Sequence, residues 1–145
     1  MKDGRIEQFQ YLIEDDRYEI TTLSNAAAFI YHEFEDISWA GFYLYQDNQL
    51  ILGPFQGKVA CTLIQMGRGV CGTSAKLKET IVVENVHEFP GHIACDSTSN
   101  SEIVIPIRKN NELYGVLDLD STSFNRFGKD QEVFEQIVQI LETKL

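Results

Sequence analysis

The chain has 145 residues, 43% of them hydrophobic, and 22 acidic against 12 basic side chains give a formal net charge of −10. That length fits one domain with a buried core, and the apolar content and mixed charge exclude a disordered or coiled-coil chain. An acidic balance argues against a nucleic-acid partner, because that affinity rests on Lys and Arg contacts to phosphate, and Arg108-Lys109 is the only adjacent basic pair. No apolar run approaches membrane-spanning length and MKDGRIEQF lacks a signal-peptide core, so the expectation is a cytoplasmic protein with no membrane partner.

Residues 6–35 read as helical. Ile6, Phe9, Leu12 and Ile13 recur at helical spacing, as do Ile20, Leu23, Ala27, Ala28, Ile30 and Tyr31, and Asp15-Asp16 breaks the run in two. Ser38 to Tyr45 is aromatic-rich and strand-like, with Trp39, Gly41, Tyr43 and Tyr45 on one face and Ala40, Phe42 and Leu44 on the other. The Trp39/Tyr43 face suits plain core and a concave aromatic wall equally well, Gly41 leaving room between two rings. Asp47-Asn48 makes a hairpin turn into Leu50 to Phe55. Val59 to Met66 is expected to be a further strand containing Cys61. GRGVCGTSAKLK then reads as a tight turn feeding a helix from about Val70. Cys71 falls in that helix's first turn, where free amides and the dipole are expected to lower a thiol's pKa. The glycine turn is no phosphate loop, since GxxxxGK[ST] is absent. Thr80 to Val83 is a short buried strand.

The run Gly91 to Glu102, GHIACDSTSNSE, sets Cys95 among small, polar, turn-forming residues directly ahead of an apolar strand. A packing cysteine more often sits among Val, Ile and Leu, so Cys95 reads as a thiol presented to a substrate. No CxxC is present, and neither a zinc ribbon nor a thioredoxin-type redox motif is signalled. His92 and Cys95 lie at metal-ligand spacing, but no second pair joins them and no metal is expected.

Ser101 to Arg108 and Leu113 to Asp120 form a hairpin whose register follows from alternation. Uniting Ile103, Ile105 and Ile107 with Leu113, Gly115, Leu117 and Leu119 on one face puts Ile105 opposite Leu117 and Ile103 opposite Leu119. A three-residue loop, Asn110-Asn111-Glu112, is expected, because a two-residue turn slips the register by one. On the other face Glu102 then opposes Asp120 and Val104 opposes Asp118. Three carboxylates converge beside the Cys95 loop, a repulsive arrangement that a bound cation explains and solvated edge positions also allow. Lys129 to Leu145 is an amphipathic helix with Val133, Phe134, Ile137, Val138, Ile140 and Leu141 as its stripe. The fold class is α+β: a mainly antiparallel sheet, N- and C-terminal helices on one face and a ligand pocket on the other.

With these residues laid out, the chain resembles the GAF domain family and, more narrowly, the free methionine-(R)-sulfoxide reductases. The matching segments are WAGFYLY, GPFQGKVAC, GRGVCGTSA, FPGHIACDSTSNSEIVIPI and GVLDLDS, spanning Trp39 to Ser121. The hairpin pattern is common to GAF domains; the three cysteines in these contexts together with the acidic positions are specific. The resemblance implies a single GAF domain over residues 1–145, with Cys95 catalytic, Cys71 the principal resolving cysteine and Cys61 an additional one that shares the role. It further implies that Glu102, Asp118 and Asp120 hold free methionine sulfoxide and that Trp39 and Tyr43 line its pocket. No bound cofactor is implied, electrons come from thioredoxin, and the R preference rests wholly on the resemblance. Thiol chemistry agrees: a thiolate attacks the sulfoxide sulfur, a sulfenic acid forms, and a second thiol condenses with it to a disulfide. The substrate carboxylate is expected at backbone amides of the Cys95 loop. The competing expectation is a GAF module that binds a small ligand or senses redox state without turnover. A homodimer is one arrangement the sequence leaves open.

Overall fold

The computed structural model describes residues 3–92, 95 and 97–145. Asp3 caps the first helix, α1 (Gly4–Ile13), its side chain accepting from the Arg5 amide at 2.9 Å. The break expected at Asp15-Asp16 is present. Asp16 accepts from Thr22 Oγ1 at 2.8 Å and so ties the connection to the first turns of α2 (Glu19–Glu33). Four further elements lead to the central hairpin: β1 (Trp39–Gln46), β2 (Gln49–Gln56), β3 (Leu63–Gln65) and α3 (Gly69–Leu77). After β4 (Ile81–Val83) come β5 (Ser101–Lys109), β6 (Glu112–Ser121) and α4 (Gln131–Glu142).

The strands form one antiparallel sheet in the order β3-β2-β1-β6-β5-β4. Helices α1, α2 and α4 cover one face, where Phe9, Leu23, Ile30, Phe134 and Ile137 meet Phe42, Ile103, Ile105, Leu117 and Leu119. The opposite face carries a second core of Trp39, Tyr43, Leu50, Ile64, Val104 and Val116 under α3. The two expected faces of β1 are therefore separated as alternation requires, Ala40 and Phe42 toward the helices and Trp39 and Tyr43 away from them. Among the described residues no helix is long and apolar enough to cross a membrane.

The β5–β6 register is the expected one at the site, with Glu102 opposite Asp120, Ile103 opposite Leu119, Val104 opposite Asp118 and Ile105 opposite Leu117. Its turn is not. Lys109 pairs with Glu112 around the two residues Asn110-Asn111, both at positive φ (54° and 64°), the backbone of a type I′ turn. The one-residue slip that such a turn imposes is absorbed by a shift between Ile107 and Arg108, which pair with Gly115 and Leu113. As a consequence Leu113 packs toward the α3 side and Tyr114 toward the helical layer, reversing the face expected for Leu113.

The strand expected over Val59 to Met66 is confined to Leu63–Gln65. Side chains of β1 take carbonyls from the preceding segment: Trp39 Nε1 donates to Lys58 O at 3.0 Å and Tyr43 Oη to Cys61 O at 2.8 Å. Cys61 is thereby held in an irregular stretch over the pocket face rather than in a ladder.

Candidate active site

A cavity opens between β1, β6, β5, the N-terminus of α3 and the Cys95 loop. All eight side chains expected at the site lie in or beside it: Trp39, Tyr43, Cys71, Cys95, Glu102, Asp118 and Asp120 line it, and Cys61 is bonded to Cys95.

The aromatic wall is built by stacking. Trp39 lies 5.2 Å from Phe55 at 16° and 6.0 Å from Tyr43 at 23°, centroid to centroid. Gly41 makes this possible, for a Cβ there would sit 2.6 Å from the Trp39 ring and against Phe55 Cβ. Both readings of this face hold, since the rings are buried core and also wall. Gly41→Ala is expected to push Trp39 toward the cavity and to destabilise the fold by about 1–3 kcal/mol, as overpacking does. A thermal melt together with a ligand titration checks this; an unchanged melting temperature would mean that the wall adapts.

The end of the Cys95 loop is pinned by Asn100. Its amide donates to Ser121 O at 2.8 Å, its side chain donates to Thr122 O at 2.7 Å, and its carbonyl accepts from Val86 N at 2.9 Å. Cys95 is half-buried at the cavity and bonded to Cys61, with Cα atoms 5.5 Å apart. Cys71, expected as the principal partner, remains a free, buried thiol. The remaining loop residues Ile93, Ala94 and Asp96, among which substrate-binding amides were expected, lie outside the described residues.

Glu102 and Asp118 are each 6% exposed, and Cys71 is 5% exposed with its Sγ 4.0 Å from Glu102 Oε2. Burial pushes the Glu102 carboxyl well above its ordinary range, and the neighbouring Asp120 charge adds to it. Asp118 is pushed up by burial and then by the charge of Glu102; its Oδ1 is buried without a hydrogen-bond partner among the described residues. The Cys71 thiol is likewise pushed up, by burial first and by Asp118, Glu102 and Asp120 after it. This reverses the lowered pKa expected from the helix's first turn: the dipole is a modest influence, and buried neighbouring carboxylates outweigh it. His92 Nε2 stands 3.7 Å from Glu102 Oε1, but burial lowers the imidazole's pKa, so the contact is not an ion pair at neutral pH.

A model of the GAF domain family matches residues 19–143. Free methionine-R-sulfoxide reductase of Escherichia coli is 49% identical over 138 residues, covering 94% of this chain and 84% of that protein. The chain belongs to the GAF domain family, in its free methionine-R-sulfoxide reductase group. Among solved structures, fRMsr of Staphylococcus aureus in its reduced form superposes on this GAF domain with a TM-score of 0.95 at 48% identity, over 98% of this chain and 93% of that one. Free methionine-R-sulfoxide reductase of Neisseria meningitidis, in complex with its substrate, gives 0.93 at 37% identity, over 99% and 91%.

The GAF pocket also holds residues that sequence reasoning did not assign to it. Arg68 lines the cavity at the N-cap position of α3, an end that no side chain caps, with Gly69 and Val70 beside it. Ser99 lines it too; it is 5% exposed and its Oγ has no hydrogen-bond partner among the described residues. A single Arg in a glycine turn and one Ser in a polar loop carry no pattern that marks them in advance. The cavity thus combines acceptors, in Glu102, Asp118 and Asp120, with donors, in Arg68, Ser99 and the α3 N-terminus.

Proposed function

We propose that this domain reduces free methionine-(R)-sulfoxide to methionine. The observation that carries the reading is a Cys61–Cys95 disulfide at a cavity lined by both carboxyls and an arginine, the two kinds of group that a zwitterionic amino acid requires. Support for the substrate also comes from the relatives of Escherichia coli and Neisseria meningitidis, both free methionine-R-sulfoxide reductases.

The substrate ammonium faces Glu102, Asp118 and Asp120, and its carboxylate faces Arg68, Ser99 and the uncapped end of α3. The methyl sulfoxide lies along Trp39 and Tyr43. With Cys61 and Cys95 reduced, the Cys95 thiolate attacks the sulfoxide sulfur. A proton from the buried carboxyl of Glu102, which stays neutral when the ammonium takes the Asp118 carboxylate, assists the departing oxygen, which ends on Cys95 as a sulfenic acid while methionine leaves. The Cys61 thiol then attacks Cys95 sulfur, water departs, and the disulfide of the structure forms. Two electrons from a dithiol, thioredoxin being the expected donor, restore both thiols by exchange. In this scheme Cys61 is the resolving cysteine, its position fixed by the Tyr43 hydrogen bond to its carbonyl.

Turnover separates this reading from a non-catalytic sensor. Free methionine-(R)-sulfoxide should be reduced with dithiothreitol and with a thioredoxin system, followed by methionine release and NADPH loss. N-acetylation removes the ammonium and esterification the carboxylate, and each should lower kcat/KM by at least about tenfold, the worth of one charge-assisted hydrogen bond. Binding of methionine sulfoxide with no product under either reductant would leave the binding-module reading standing and this one refuted.

A further inference from the structure

Cys71 has no part in the scheme above, yet its thiol is gathered with two carboxyls. One ligand atom each from Cys71, Glu102 and Asp118 lie within 4.8 Å of one another, and all three residues are buried. Asp118 Oδ1, in the cluster, and the Oγ of Ser99, 5% exposed and lining the same cavity, are buried with no hydrogen-bond partner among the described residues. We infer that Cys71, Glu102 and Asp118 form a site for one thiophilic divalent cation of the zinc class, which occupies the carboxylates otherwise open to an ammonium.

The donor set decides the class of ion. A thiolate beside carboxylate oxygens is a donor set for the zinc class, whereas calcium and magnesium take oxygen alone. Tetrahedral zinc with ordinary bond lengths holds its ligand atoms about 3.4–3.6 Å apart, so a cluster whose ligand atoms lie within 4.8 Å of one another closes by at most about 1.4 Å on binding. The site does not depend on turnover, because neither Cys61 nor Cys95 belongs to it. In the disulfide form Cys71 is the sole thiol of the chain, which makes its occupation directly readable.

The test is a Cd²⁺ titration of the oxidised protein at neutral pH without reductant, read by the ultraviolet thiolate-to-cadmium charge-transfer band and by calorimetry. The expected result is one equivalent bound through the thiolate, displaced by Zn²⁺ and not by Mg²⁺. Cys71→Ser should lose the band, and Asp118→Asn should weaken the affinity at least tenfold while a thermal melt shows both variants folded. A protein that shows no charge-transfer band, or one whose cadmium affinity is unchanged in Asp118→Asn, overturns the proposal. Neither outcome bears on whether methionine sulfoxide is reduced.

Discussion

Cys95→Ser is expected to lower methionine formation by about four orders of magnitude or more, the scale on which loss of a nucleophile acts. A hydroxyl keeps the cavity's shape but has no accessible anion near neutral pH and accepts no oxygen from sulfur. The binding groups, Glu102, Asp118, Asp120 and Arg68, are untouched, so affinity for the sulfoxide should survive while chemistry stops. Cys61→Ser should behave differently. It should release about one equivalent of methionine per chain and then stall with Cys95 as a sulfenic acid, because the thiol joined to Cys95 in the structure is gone. Cys71→Ser should turn over repeatedly, its thiol being buried and unpaired. Rapid-quench measurement of methionine, with a sulfenic-acid probe and peptide mass spectrometry, distinguishes the three variants. A burst and stall in Cys71→Ser with steady turnover in Cys61→Ser would exchange the roles of the two cysteines.

The parts of this site legible in the sequence were those governed by a single periodicity. Alternation along β5 and β6 fixes which residues face the pocket, so the opposition of Glu102 and Asp120, and of Val104 and Asp118, was readable before the fold. The turn between those strands was not, because two different backbones deliver one register: a three-residue loop, or Asn110-Asn111 at positive φ followed by a compensating shift. Asparagine tolerates that conformation well enough to make the second arrangement accessible. The irregular path of Cys61 was hidden for another reason. A strand-like sequence loses its ladder when Trp39 and Tyr43, far away in sequence, capture its carbonyls. The Cys71 thiol illustrates the same limit in electrostatics. Its helix position was visible along the chain, whereas the carboxyls that dominate its pKa arrive from β5 and β6 across the sheet.

Asp118→Asn should weaken substrate and at the same time strengthen the fold, and the second effect should grow with pH. Asp118 is buried, its Oδ1 lacks a partner among the described residues, and burial followed by the Glu102 charge holds its carboxyl well above its ordinary value. A carboxyl with a raised folded-state pKa binds protons more tightly when folded. Its contribution is fully present below the unfolded value, about pH 4, and is lost as pH rises toward the folded value. Asparagine carries no such proton, so the difference in melting temperature, variant minus parent, should be small near pH 4 and should increase through neutrality. Binding runs the other way. An ammonium requires the carboxylate, so substrate must displace the proton that the empty pocket holds, and proton release should accompany binding. Losing one charge-assisted hydrogen bond worth roughly 1.5–3 kcal/mol weakens affinity about ten- to a hundredfold. Calorimetry in a Cys95→Ser background, run in two buffers of different ionisation enthalpy, measures affinity and released protons together, and melts at pH 5 and pH 8 give the stability trend. Were Asp118→Asn to bind substrate as tightly as the parent and to melt earlier at both pH values, Asp118 would be a structural residue, and the ammonium would have to rest on Glu102 and Asp120 alone.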